Sequence, residues 1–354
     1  MGITDKNTIF TSNKISKYVS KKITILSFLY AYLVVVIHSS NSINYFGTDK
    51  SINFVTYIEN IIGEGVARIA VPSFFVISGI LFFIGFTPSI NAFRSKYKSR
   101  AKSLLVPYLL WNVIGYVYAC IVPLLAAKVI SINTLPAEIG LKSFLIAVIT
   151  AQYTTFWFIG SLIICVVLSP VIYFLVSKPI FSEISIVLLA VIWGVFAGRT
   201  GILVGLFFFS LGAYIILRLP NLINKKMTLK QTWVLIVAFI GVLLLNAYFY
   251  PTELVKMVIL LGIPTVWVLY DLFETKIKVT EFMKYSFVIF AAHSFVNQII
   301  LKTILVVLGK GQIQAMFNYI VTPFLSVVLV IIAGSLVRKY LPKIWSLLNG
   351  GRNA

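Results

Sequence analysis

Apolar runs alternate with short polar connections along this chain, at about residues 23–39, 53–86, 103–127, 156–177, 184–198, 201–217, 232–250, 254–270, 285–308 and 314–337. A hydrocarbon layer ~30 Å thick needs ~20 apolar residues per helical span. Lipid-facing strands would be shorter and would alternate strictly. The pattern therefore predicts an all-α, polytopic transmembrane bundle of about ten spans. The second run exceeds one span. Its first part, from Phe54 to Val66, carries Glu59 and Glu64 and reads as an interfacial or tilted helix leading into the membrane. The first run follows a basic stretch, as a secretory signal would. It is longer than a usual signal core and no small-residue cleavage site follows, so an uncleaved first helix is expected.

Composition agrees with that reading and narrows it. Of 354 residues, 60% are hydrophobic and 11% charged, against ~45–50% and ~25% in soluble domains. The net charge of +20 would raise nucleic acid as a partner in a soluble protein. Here the basic residues lie in the connections between apolar runs. With the amino terminus inside, 22 of the 30 Lys and Arg fall in cytoplasmic segments and 6 in outer ones. That bias places both termini in the cytoplasm and explains the charge without nucleic acid. The expected organisation is a basic tail over 1–22, one membrane domain over 23–340 and a cytoplasmic tail over 341–354. No internal repeat of the kind found in secondary transporters is evident.

Ionisable groups inside spans are the costly ones, at ~2.5–3.5 kcal/mol or more each at a helix centre. The two histidines, His38 and His293, both lie in apolar runs. His38 falls sixteen residues beyond Lys22, ~24 Å up its helix and toward the outer side. His293 falls nine residues past Lys284, ~13 Å in and near mid-membrane. Either could be a satisfied helix-packing residue. An imidazole at the outer edge is also suited to taking a proton from a hydroxyl. Arg68 stands at the mouth of an apolar helix and needs an anion or carbonyls, since its charge cannot be discarded. Glu64, four residues earlier, shares its helical face. The pair either pins the helix or presents Arg68 to a phosphate or thioester oxygen.

Pro72, Pro107, Pro123, Pro170, Pro264 and Pro323 begin or interrupt spans and are expected to kink them. Trp111 and Trp157 fit an interfacial belt on hydropathy alone. Cys120 and Cys165 lie in apolar runs without metal or disulfide spacing, and no metal site is expected. No nucleotide loop, zinc-protease or nucleophile-elbow motif is present.

Several segments, in order, resemble the membrane-bound acyltransferase 3 family. The stretch from Ile25 to Ser39 resembles its first helix, ending in a histidine. The stretch from Arg68 to Gly79 resembles the block of an arginine, V-P-x-F-F and S-G. The stretch from Arg100 to Trp111 resembles a basic loop followed by P-Y-x-x-W, Trp157-Phe158-Ile159 a later helix start, and Tyr285 to Ser294 a helix ending in a histidine. The resemblance implies a ten-helix inner-membrane enzyme, bacterial in type, that transfers an acyl group, usually acetyl from acetyl-CoA, to a sugar hydroxyl.

The resemblance also implies roles. His38 and Arg68 become the catalytic candidates, with Glu64, Ser78, Arg100, Trp111, Trp157 and His293 as candidates for binding substrate or donor. No bound cofactor is implied; acetyl-CoA or another acyl-CoA is a co-substrate. The implied partners are that donor, a glycan or lipid-linked sugar acceptor and the lipid bilayer. One position departs from the family pattern. Ser27 stands eleven residues before His38, where an arginine is usual, and a serine offers no cation to a CoA phosphate. Lys21, Lys22 or the cluster from Arg94 to Lys102 could stand in; altered donor use or an inactive relative are the alternatives. Late in the chain, Phe290 replaces the usual tyrosine. A polysaccharide-precursor flippase is the rival function class.

Overall fold

The fold is described from a computed structural model, over residues 15–47, 53–126, 137–249 and 252–352. No strand occurs among the described residues. Helix α1 spans Lys17–Ile37 and opens at Ser16, whose hydroxyl accepts from the Val19 N–H. A side-chain oxygen there satisfies one of the orphan donors of the first turn. The short α2 (Ser42–Phe46) and α3 (Phe54–Ile62) follow. A break at Gly63–Gly65 leads through a 3₁₀ turn, Val66–Ile69, into α4 (Ala70–Phe83). The long second run is thus two helices, the first of them short.

Helix α5 (Ile90–Arg100) continues through one π turn, Ala101–Leu105, into α6 (Val106–Ala126). Helix α7 covers Leu141–Thr150. The run at 156–177 divides into α8 (Trp157–Val167) and α9 (Ser169–Ser177), bent by 66°. Pro170 sits in the first turn of α9, where its missing N–H costs nothing. Then come α10 (Phe181–Phe196), α11 (Ile202–Arg218), α12 (Pro220–Asn224), α13 (Leu229–Phe249), α14 (Thr252–Phe273), α15 (Ser286–Leu308), α16 (Gln312–Tyr340) and α17 (Pro342–Leu348).

Every apolar run expected from the sequence is helical, but not every one is a full span. Seven helical segments among the described residues are long and apolar enough to cross a membrane, and eight if the bent α8–α9 pair counts as one. Helices α10 and α11, at 16 and 17 residues, fall just short of that length.

The centre of the bundle is α1 with α4. In the Phe54–Phe83 segment 67% of the apolar window is buried, and in Lys17–Phe46 50%, against 28% in Leu229–Phe249. Helix α4 packs most closely on α11, and glycine permits it. A Cβ at Gly79 would stand 2.2 Å from the Phe209 carbonyl oxygen, and one at Gly212 2.1 Å from that of Val76. The two backbones touch directly, the small-residue packing that membrane helices use where apolar burial gives no drive to associate. Outward faces stay apolar: Val187, Val191 and Val195 form an exposed stripe on α10, facing as a lipid contact would.

Lys22 does not belong to a tail. It is fully buried and pairs with Asp271 of α14 at 2.6 Å, its ammonium 4.3 Å from the centre of the Trp267 ring. Asp271 also accepts from the Tyr18 hydroxyl and from the Met227 N–H. Lys21 donates to the Glu274 carbonyl. The expected carboxyl-terminal tail is packed as well, since Trp345 is buried against Tyr285 and Gly334. Breaking the Lys22–Asp271 pair should be expensive. Lys22→Met leaves a buried, unpaired carboxylate and should cost about 3–5 kcal/mol in thermal unfolding in detergent. The double variant Lys22→Met/Asp271→Leu should recover most of that loss.

Candidate active site

His38 caps the end of α1, its backbone N–H donating to the Val34 carbonyl. Its side chain is exposed while Val36 and Ser39 beside it are buried. The exposure faces a cavity of about 90 Å³ lined by His38, Arg68, Thr155, Trp157, Arg199 and Phe290, with aliphatic side chains completing the walls. A mostly apolar pocket with a few convergent polar groups is the usual form of a small-molecule site.

Arg68 arrives from the 3₁₀ turn before α4 and is held by Glu64. Its Nε donates to Glu64 Oε2 at 3.0 Å and its Nη2 to Oε1 at 2.5 Å. Arg199, from the connection between α10 and α11, donates to the same carboxylate at 2.7 Å. One carboxylate therefore positions two guanidinium groups on the cavity wall. Because Glu64 takes the Nε–Nη2 edge of Arg68, the two Nη1 protons and the second Nη2 proton are left for a ligand.

His293 lies on α15 and is fully buried. The two imidazole ring centres are 5.2 Å apart. His293 Nδ1 lies 2.7 Å from the Phe290 carbonyl. A carbonyl can only accept, so that nitrogen carries the proton and Nε2 keeps its lone pair. Nε2 is buried with no hydrogen-bond partner, as is the Thr155 hydroxyl on the cavity wall.

The contact between α1 and α15 is pinned beside the histidines. Asn297, one helical turn after His293, donates from Nδ2 to the Val35 carbonyl at 3.1 Å and to the Ser39 hydroxyl at 3.0 Å. The chain beyond His38 is fixed by Glu59, which accepts from the Asn41 N–H at 2.8 Å and the Ser42 hydroxyl at 2.6 Å.

Of the residues singled out in the sequence, His38, Arg68 and Trp157 line the cavity, Glu64 holds Arg68, and His293 stands against His38. Ser78 does not join them; it is half-buried in α4, about ten residues or ~15 Å of helix from Arg68. Trp111 is neither in the cavity nor in a belt. It is buried, and its indole N–H donates to the Leu348 carbonyl at 3.0 Å. Arg100 lies at the opposite end of the bundle, where α5 meets the π turn. Of the two lysines offered as stand-ins at Ser27, Lys22 is fully buried in its pair with Asp271, while Lys21 is half-buried and donates to the Glu274 carbonyl. Asn297, Glu59, Arg199 and Thr155 were not anticipated. Asn297 carried one signal, its spacing of four from His293.

The family model described as an acyltransferase domain, Acyl_transf_3, matches residues 23–338. The chain belongs to this acyltransferase family. No curated protein and no solved structure matches it. The match takes in every cavity residue of this acyltransferase and stops short of α17. Within it, Asn297 should matter through position. Asn297→Ala removes both bonds while the Ser39 hydroxyl still donates to the Val35 carbonyl at 2.8 Å, and should cost about 1–2 kcal/mol. Exposed Gln298→Ala, one residue on, should stay within about 0.5 kcal/mol; thermal unfolding distinguishes them.

Proposed function

We propose that this acyltransferase is a multi-pass cell-membrane O-acyltransferase, which moves an acetyl group from acetyl-CoA to a hydroxyl of a cell-surface or lipid-linked sugar. The observation that carries the reading is the meeting of His38 and Arg68 in one cavity with an imidazole and a guanidinium turned to the same space. The volume suits a two-carbon acyl group better than a long chain. Positive-inside bias puts both termini in the cytoplasm, so the His38 end of α1 faces outward, toward the acceptor.

The His38 imidazole accepts the proton of the sugar hydroxyl as its oxygen attacks the thioester carbonyl carbon. The C–O bond forms and negative charge gathers on the former carbonyl oxygen. Arg68, already oriented by Glu64, donates to that oxyanion from its unused edge. The intermediate collapses by breaking the C–S bond, and the imidazolium returns its proton to the departing sulfur. The products are an O-acyl sugar and free CoA. Buried His293 supports the His38 ring from α15.

His38→Ala should lower acetyl transfer from labelled acetyl-CoA by about 10²-fold or more, the usual contribution of a general base. Arg68→Lys keeps the charge but not the fork and should fall between His38→Ala and wild type. Full transfer by a folded His38→Ala protein would end the reading. Mass spectrometry of surface glycans with and without the gene would identify the acceptor by its missing acetyl group.

A further inference from the structure

The cavity that His38 faces has an annex. A space of about 10 Å³, room for one water-sized group, lies between Arg199, Lys256 and the apolar side chains of Trp193, Val204 and Ile259. Arg199, Val255 and Ile259 line the His38 cavity as well, so the two spaces share a wall. Arg199 is brought there by the connection between α10 and α11, which turns through Gly201 at φ +109°, a value that suits glycine. Lys256 comes from the second turn of α14. Its Nζ donates at 2.7 Å to the carbonyl of Gly194, in the last turn of α10.

Both cations sit where cations are scarce. They are two of the 6 Lys and Arg that the positive-inside count assigns to outer segments, against 22 assigned to the cytoplasm. Lys256 also stands near the amino-terminal, positive end of α14, where the helix dipole disfavours an ammonium. The Gly194 carbonyl takes one of its three protons and cancels none of its charge. Neither Lys256 nor Glu253, three residues earlier, belongs to an ion pair among the described residues. No carboxylate lines either space among the described residues; Glu64 stands behind, shared by Arg68 and Arg199. Apolar walls strengthen charge interactions, and a neutral ligand would leave the ammonium unanswered.

We propose that Arg199 and Lys256 form a seat for an anionic oxygen beside the His38 cavity. The acceptor is then an acidic sugar, bearing a carboxylate or a phosphate near the hydroxyl that receives the acyl group. The proposal rests on the sugar-acceptor reading above and names the substrate class within it. A guanidinium and an ammonium both donate charge-assisted hydrogen bonds to carboxylate and phosphate oxygens. With the anion in the annex, the shared wall of Arg199, Val255 and Ile259 leaves the sugar ring in the cavity that His38 faces. Fixing the charged group at one end of the ring selects which hydroxyl meets the imidazole, so the seat sets regiochemistry as well as affinity.

The test uses the full-length protein in phosphatidylcholine nanodiscs, where no headgroup carries a net negative charge. The probes are methyl glucuronide, glucose 1-phosphate and neutral methyl glucoside. Each is assayed for binding by thermal shift and for acetyl transfer from acetyl-CoA. Wild type should favour an acidic sugar over the glucoside by about ten-fold or more in kcat/KM, the scale of one charge-assisted hydrogen bond. Added salt should shrink that preference. Preference for the glucuronide assigns a carboxylate, and preference for glucose 1-phosphate a sugar phosphate. Lys256→Gln keeps a donor for the Gly194 carbonyl but not the charge, and should bring the ratio close to unity. A Cβ at Gly198, on the annex wall, would meet nothing within 4 Å. Gly198→Leu should therefore fill the annex without disturbing the fold and lower the same ratio, which keeps the test open if Lys256→Gln misfolds. A wild type that binds and acetylates all three probes equally would overturn the proposal and leave the function reading. A preference that both folded variants retain would do the same. Preferential binding of an acidic sugar without transfer to any probe would do the reverse, keeping the anion seat while the transfer reading fails.

Discussion

An arginine cannot discard its charge, so an arginine within an apolar bundle must be met by an anion or by carbonyl oxygens. Glu64 meets that need twice, holding Arg68 through two hydrogen bonds and Arg199 through a third. The arrangement ties the 3₁₀ turn before α4 to the connection between α10 and α11. It also turns Arg68 toward the space that His38 faces. Without a shared carboxylate, two guanidinium groups on one cavity wall would repel each other. The geometry of the candidate site follows from this single negative charge.

The helices around the site are held by contacts of a different kind. Helices α4 and α11 approach through glycine, backbone against backbone, which fixes Arg68 at the head of α4. Helices α1 and α15 are joined by the Asn297 amide, which fixes the two imidazoles. In a lipid-like setting, where burying apolar surface gives little drive to associate, close packing and buried polar bonds decide which helices meet. The Asn297 contact lies one turn from His293, and the glycine contact at Val76 and Gly79 lies about two to three turns from Arg68.

Ion pairs stand at both ends of the molecule. At the His38 end Arg68 and Arg199 gather around Glu64, and at the other end Lys22 pairs with Asp271, Lys226 with Glu274 and Lys284 with Glu281.

Hydropathy alone determined much of this protein. The apolar runs became helices, His38 came at the end of its helix, and Arg68 met Glu64 as their spacing of four suggested, although Glu64 lies in the break before the 3₁₀ turn and not on a helical face. Ordered motifs pointed to the family that the match over 23–338 bears out. Other features needed the tertiary structure. The bend between α8 and α9 is one; the burial of Lys22 against Asp271 and the hold of Trp111 on Leu348 join residues far apart in the chain. Periodicity reports which face of a helix is apolar, not which partner covers it. A lysine in a basic stretch reads as solvated until an aspartate some 250 residues later is packed against it, and only packing supplies that neighbour.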